Sequence, residues 1–221
     1  MRANIENNLQ LPAEMHDLVC TVHIGKGKHM LFDSAGQTFL ISRQSVEPRN
    51  TLPVARLAMC AALSPCGAFI YAIGGLNPSN GDYITTNDRY SIQSDTWHMN
   101  ISVCDPLVDA VAVTMPDGIY LLGGTIPEQM PGATSKQVLR LETTTGQMHR
   151  LNDMQVARSA FTACSSGNCE YIYAAGGLTE NGQASAIVER YNVQTGAWDL
   201  VSPLTSARNS AAMCLATVFT D

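Results

Sequence analysis

Few residues in this 221-residue chain could do chemistry, and most of them are scattered. The histidines are His16, His23, His29, His98 and His149, and no two stand at metal-ligand spacing. Cys60 with Cys66, and Cys164 with Cys169, are not C-x-x-C pairs, so no zinc site is expected. There is no G-x-S-x-G elbow, no phosphate-binding loop and no paired-carboxylate motif, and Asp105, Asp109 and Asp117 read as turn and strand-end residues. The expectation is a chain without catalytic residues, bound metal or cofactor. A set of arginines remains. Leu52-x-x-Ala55-Arg56, Met154-x-x-Ala157-Arg158 and Leu204-x-x-Ala207-Arg208 share one pattern, with Ser159 and Asn209 directly after the last two arginines. A guanidinium pairs bidentately with carboxylate or phosphate, so arginines repeated around one rim would suit an acidic peptide motif. The same repetition would arise if each arginine capped a strand or paired with a neighbouring structural unit.

The elements that must position these arginines form a repeat. Ile172-Tyr173-Ala174-Ala175-Gly176-Gly177 leads to Glu189-Arg190-Tyr191 and then Trp198. Ile70-Tyr71-Ala72-Ile73-Gly74-Gly75 leads to Arg89-Tyr90 and Trp97, and Ile119-Tyr120-Leu121-Leu122-Gly123-Gly124 leads to Arg140-Leu141 and Met148. The step from the Tyr column to the Trp column is seven residues each time, and the first glycines lie 49 and 53 residues apart. A period near 50 marks a propeller or array. Each repeat reads as a four-stranded antiparallel blade. Strand A follows the arginine, as in Ser159–Ser165, strand B is the Ile-Tyr run, and strands C and D carry the Tyr and Trp columns. Asn192-Val193-Gln194-Thr195-Gly196 supplies hairpin-turn chemistry. The glycines should end strand B where backbone passes close to a neighbour, because a residue without Cβ fits there. Burying one column aromatic contributes on the order of 2–3 kcal/mol.

A fourth, degenerate copy is expected at the start, with Val22–Gly27 as strand B and Phe32 and Phe39 holding the two columns. In this frame residues 1–17 are a linker, and 18–221 form an all-β propeller of about four blades. The blades cover about 18–42 plus 205–221, then 52–102, 103–152 and 153–203. Arg43–Thr51 reads as a polar connector. A strand from Ala207–Asp221 would complete the first blade and close the ring, removing an exposed edge, unless the chain is a fragment of a larger propeller.

Composition narrows the partners. A chain that is 45% hydrophobic and 14% charged can bury a strand-rich core, and disorder is not expected. Its net charge of −6 disfavours nucleic acid as a main partner. No run of 18 apolar residues marks a membrane span, and Met1–Glu6 lacks the apolar core of a signal peptide. The seven cysteines sit mostly in predicted strands, which fits small hydrophobes in a reducing, cytoplasmic compartment.

The glycine doublet and the Tyr and Trp columns, over roughly residues 18–221, resemble the kelch repeat, most like the kelch half of BTB-kelch proteins. The middle repeat departs, with Leu141 and Met148 as apolar substitutes. The resemblance implies a non-catalytic protein-binding module that recruits substrate to a cullin–RING ubiquitin ligase; no BTB domain is read in this chain. It places partner-binding residues on the loop before strand A and the loop after strand B. Here those positions are Arg56, Arg158, Ser159, Arg208 and Asn209, with Asn80, Tyr83, Glu128 and Asn181 more loosely. Kelch propellers also include actin-binding scaffolds, copper oxidases and sugar isomerases, and the scattered histidines make the enzymatic readings the weakest.

Overall fold

The computed structural model describes residues 15, 17–103, 105, 107–126 and 133–211. They form four antiparallel sheets of four strands each, in chain order within every sheet. Blade 1 is β1 (Leu18–Gly25), β2 (Lys28–Asp33), β3 (Thr38–Ile41) and β4 (Val46–Arg49). Blade 2 is β5 (Cys60–Leu63), β6 (Phe69–Ile73), β7 (Thr86–Ser91) and β8 (Thr96–Val103). Blade 3 is β9 (Val111–Met115), β10 (Gly118–Leu122), β11 (Val138–Leu141) and β12 (Met148–Arg150). Blade 4 is β13 (Thr162–Ser165), β14 (Tyr171–Ala175), β15 (Val188–Asn192) and β16 (Trp198–Val201). No helix among the described residues is long and apolar enough to cross a membrane.

In blades 2 to 4 the strands fall where the repeat puts them, and blade 1 is shifted by one strand. Gly25, Lys26 and Gly27 all take positive φ and close the tight β1–β2 hairpin, with His23 opposite His29. Val22–Ile24 therefore lies in the first strand of the blade, Phe32 in the second and Phe39 in the third. The expected connector at 43–51 contains β4. Where the other blades carry a glycine doublet, blade 1 carries Asp33, whose carboxylate accepts the N–H groups of Ala35 and Gln37 at 3.0 and 2.7 Å. Blade 1 thus takes all four strands from residues 18–49, without the C-terminal strand expected to complete it. Residues 212–221, where most of that strand was expected, lie outside the described residues.

The core is divided among the spaces between blades. Met30, Phe32 and Leu40 of blade 1 pack against Ile70, Ala72 and Tyr90 of blade 2. Tyr71 and Ile73 meet Ile119, Leu121, Leu139 and Leu141 of blade 3. Tyr120, Leu122 and Val138 meet Ile172, Ala174 and Tyr191 of blade 4. Successive side chains of each second strand face opposite neighbours, as the period of two requires. The first strands touch in the order β1, β5, β9, β13, and no comparable contact joins β13 to β1 among the described residues. In the middle repeat Leu141 is fully buried and Met148 half-buried at the edge of the same core.

The glycine doublets sit at the closest backbone approaches. The second glycine of each pair donates its N–H to the segment that follows the blade's last strand: Gly75 to the Leu107 carbonyl at 2.7 Å and Gly124 to Arg158 at 2.9 Å, both leading into the next blade, and Gly177 to Arg208 at 2.9 Å. A Cβ on Gly123 would stand 2.6 Å from the Arg158 carbonyl and 2.7 Å from the Phe161 ring.

The arginines before the first strands are buried inside their own blades. Arg56 is 1% exposed and Arg158 is 0% exposed. Arg158 donates to the carbonyls of Gly176 and Ile187 at 2.8 and 3.0 Å and to the Glu189 carboxylate at 2.7 Å. Arg56 repeats this with Gly74, Thr86 and Asp88 at 3.1, 2.8 and 2.5 Å. Each guanidinium therefore ties the end of the second strand, the loop after it and the third strand together. Glu189 also accepts the N–H groups of Gln155 and Val156 at 2.6 and 3.2 Å, so the buried charge is well satisfied. Burial pushes the Arg158 pKa down, and the Glu189 charge opposes that shift. Blade 3 has Leu107 at the arginine position and Leu139 at the acid position, both buried in one apolar cluster. Arginine and acid are replaced together.

Two stability predictions follow from these contacts. Gly123→Ala should cost about 2–4 kcal/mol in urea unfolding, from left-handed strain and overpacking against blade 4. Gly182→Ala, with similar φ but open space around it, should cost only about 1 kcal/mol. In the second test, Arg158→Leu and Glu189→Leu should each cost about 3–5 kcal/mol, because each strands a buried charge. The double variant, which copies the leucine pair of blade 3, should lose far less than the sum. A strictly additive result would refute the coupling.

Candidate functional site

In each of blades 2 to 4 the loop after the second strand and the segment before the first strand are stitched into one rim. Single bridges link Leu57, Leu76 and Tyr83 in blade 2, then Val108, Thr125 and Thr134 in blade 3, then Ser159, Leu178 and Ala184 in blade 4. The backbone bonds are short: Leu57 N–H to Leu76 at 2.8 Å with its return at 2.9 Å, and the Ser159–Leu178 pair at 3.1 and 2.8 Å. Arg208 extends this arrangement, donating its N–H to Ser185 at 3.0 Å while its carbonyl accepts from Gly177. Strand pairing, joined in blades 2 and 4 by the buried arginines, holds the base of each loop, and the tips are left to vary.

The rim sorts the expected partner-binding residues into two groups. Arg56 and Arg158 do not form an open guanidinium ring, because their side chains are spent on buried carboxylates and carbonyls. Ser159 is 7% exposed, and its backbone is committed to Leu178. The side chains of these three are withdrawn from a ligand. Arg208, Asn209, Asn80, Tyr83 and Asn181 are exposed, and Glu128 lies outside the described residues.

Local sequence explains how the exposed group is held. Asn77-Pro78-Ser79-Asn80-Gly81-Asp82 is rich in turn formers. The Asn77 side chain accepts the Ser79 N–H at 2.9 Å, and Asn80 accepts the Asp82 N–H at 3.0 Å while donating to the Asp82 carboxylate at 2.6 Å. Asn80 is thus partly engaged in shaping its own loop. Tyr83 follows that turn and remains 43% exposed, among the few large side chains turned to solvent. In blade 4, Thr179 N–H bonds Gln183 and Gly182 N–H bonds Thr179, which presents Asn181 at the tip. The Arg208 guanidinium donates to Ser206 at 2.8 Å, and no described carboxylate lies within ion-pair distance of it.

A surface of this kind, with an aromatic ring, amides and an exposed cation on rigid bases, can bind polar chain by hydrogen bonds and charge. Among the described residues no group of three or more His, Cys, Asp or Glu could hold a metal ion. The carboxylates Asp88 and Glu189, which decide where the arginines go, were not foreseen as partners. Their signal is that the position two before the Tyr column reads Asp, Leu, Glu while the arginine column reads Arg, Leu, Arg.

Comparison with known proteins agrees with this architecture. The family model described as the kelch motif matches residues 157–205, which runs from the buried arginine of blade 4 past its last strand. A zebrafish (Danio rerio) kelch repeat and BTB domain-containing protein 12 is 25% identical over 218 residues, covering 90% of this chain and 35% of the relative. An Arabidopsis thaliana F-box/kelch-repeat protein, SKIP20, is 31% identical over 54% of this chain and 30% of its own length. The chain thus spans about a third of the length of these curated relatives. Among solved structures, the protein YjhT superposes with a TM-score of 0.75 at 14% identity, over 93% of this chain and 70% of that one. A fungal alcohol oxidase in complex with copper gives 0.56 at 15% identity, over 88% of this chain and 55% of that one. At such identities these likenesses show the fold alone. The four four-stranded blades with their repeated glycine doublets, and the kelch motif over residues 157–205, give the chain a kelch-type propeller fold, and its relatives make it similar to the kelch half of BTB-kelch proteins.

Proposed function

We propose that the chain is a non-catalytic protein-binding module whose loop rim takes a protein or peptide ligand carrying carboxylates. In the same reading it is the substrate-recognition part of a cytoplasmic BTB-kelch adaptor of a cullin–RING ubiquitin ligase. One observation carries the proposal. Tyr83 and Asn181, which differ from blade to blade, and Arg208, which unlike the other arginines of its column is exposed, stand on loops whose bases are locked by backbone bridges. A rigid scaffold with variable tips is the arrangement in which specificity resides in the tips. Arg208 supplies a cation without a described counter-ion, which favours an acidic ligand over a basic one. The chain's net charge of −6 works against nucleic acid.

The test is selection of binders from a displayed peptide library, followed by fluorescence anisotropy on the enriched sequences. Acidic peptides should be enriched, and Arg208→Glu should weaken them by about tenfold, with Tyr83→Ala weakening them as an aromatic anchor would. Both residues are exposed, so unchanged urea midpoints should accompany the loss. Enrichment of no sequence, or enriched peptides that bind Arg208→Glu as tightly, would overturn the reading.

A further inference from the structure

The end of the blades that bears the β5–β6 and β9–β10 turns carries a cleft of about 660 Å³ between blades 2 and 3. Ser64, Cys66, Phe69 and Arg89 line it from blade 2, and Asp117 and Arg140 face them from blade 3, with the Glu142 turn at its edge. The strand-C arginines of the three blades differ in one respect. Arg140 pairs with Asp117 at 2.6 Å, and Arg190 pairs with Asp199 at 3.2 Å. Arg89 stacks over the Phe69 ring at 4.5 Å, and no described carboxylate pairs with it. Where blade 3 places Asp117 just before the glycine of its turn, blade 2 places Cys66 before Gly67. Both follow a proline, but the blade 2 turn is longer, with residues 64–68 between its strands against 116–117 in blade 3.

The surroundings of Cys66 favour its anion. The thiol is exposed, and its sulfur lies 3.3 Å from the Ser64 hydroxyl. That hydroxyl accepts the Phe69 N–H at 3.1 Å, so its own proton is left for the sulfur. The Ser64 hydroxyl first, then the Ala68 N–H, and more weakly the Cys66 N–H and the Arg89 charge, hold the Cys66 pKa below the ordinary thiol value. Cys20 is the opposite case, pushed up to about 12 by burial. The carboxylates of the cleft are engaged elsewhere: Asp117 accepts from Arg140 and from the Tyr120 hydroxyl at 3.0 Å, and Glu142 accepts from Thr144 and Thr145 at 3.1 and 2.9 Å. Arg89 is the cation left over.

We propose that this cleft is a thiol-modification site, in which the Cys66 thiolate exchanges with a small disulfide bearing carboxylates, and Arg89 receives one of those carboxylates. Cys66 first loses its proton to solvent. Its sulfur then attacks one sulfur of the incoming disulfide, a new S–S bond forms to Cys66, and the old S–S bond breaks. The second half of the reagent leaves as a thiolate with the bonding electron pair. The disulfide is itself the oxidant. Arg89, on the lining of the same cleft, is then available to the carboxylate of the attached half.

The experiment uses glutathione disulfide as the anionic probe and cystamine as the cationic one, with intact mass and peptide mapping of the full chain at pH 7. The expected result is a single fast adduct on Cys66, formed faster than on the same cysteine in the urea-unfolded chain and absent in Cys66→Ser. The rate ratio of glutathione disulfide to cystamine should fall about two- to fivefold in Arg89→Gln, the range of an exposed charge pair. Reaction no faster in the folded chain than in the unfolded one would overturn the site. A rate ratio unchanged in Arg89→Gln would overturn the role of the arginine and, with it, the preference for carboxylate-bearing reagents.

Discussion

The structure depends on how closely one blade's backbone can approach the next. At each doublet the chain leaves the second strand with positive φ and donates an N–H to the carbonyl at the following arginine position, which for the doublets of blades 2 and 3 opens the next blade. A side chain there would push the blades apart, and the apolar faces between them could not close to packing distance. The doublet therefore sets the spacing at which Tyr71 and Ile73 reach Ile119 and Leu121, and at which Tyr120 and Leu122 reach Ile172 and Ala174. Blade 1 has no doublet, and it meets blade 2 differently: the Gly36 carbonyl accepts the Leu52 N–H, and Asp33 shapes the bend with its own side chain.

The position whose carbonyl receives the doublet also holds the blade together from within. Arg158 reaches a carboxylate on the third strand and the carbonyls that end the second strand and open the third, and Arg56 does the same in blade 2, whereas Arg208 bonds only Ser206 among the described side chains. Charges buried this deeply are tolerated because each guanidinium makes three hydrogen bonds, one of them to a buried carboxylate, although its Nε N–H has no partner among the described residues, and they add geometric definition more than net stability. The leucine pair of blade 3 is the apolar solution to the same site. One fold accommodates both because what it requires is a filled, satisfied volume between the first and third strands.

The two ends of the blades are then put to different uses. At one end the loops are long, polar and different in each blade, and they ride on locked bases. At the other end two of the three strand-C arginines pair with carboxylates, Arg140 with Asp117 and Arg190 with Asp199. A departure from such regularity stands out physically. Cys66 beside an arginine without a described carboxylate is that departure, and it leaves a cation and a polarised thiol in one cleft.

The sequence alone determined the blade. A doublet, a Tyr column and a Trp column at fixed spacing are local facts, and period-two burial turns them into strands without further information. Those same facts located the three later blades and the loops of the rim. Only the tertiary structure decided the first blade, because Gly25-Lys26-Gly27 can end a strand or turn a hairpin, and the choice depends on which pairing buries Met30, Phe32 and Leu40. It also decided the fate of Arg56 and Arg158. An arginine repeated along a chain reads the same whether it faces solvent or core. The carboxylates that draw it inward, Asp88 and Glu189, lie about thirty residues away and become its neighbours only when the third strand has folded back beside it.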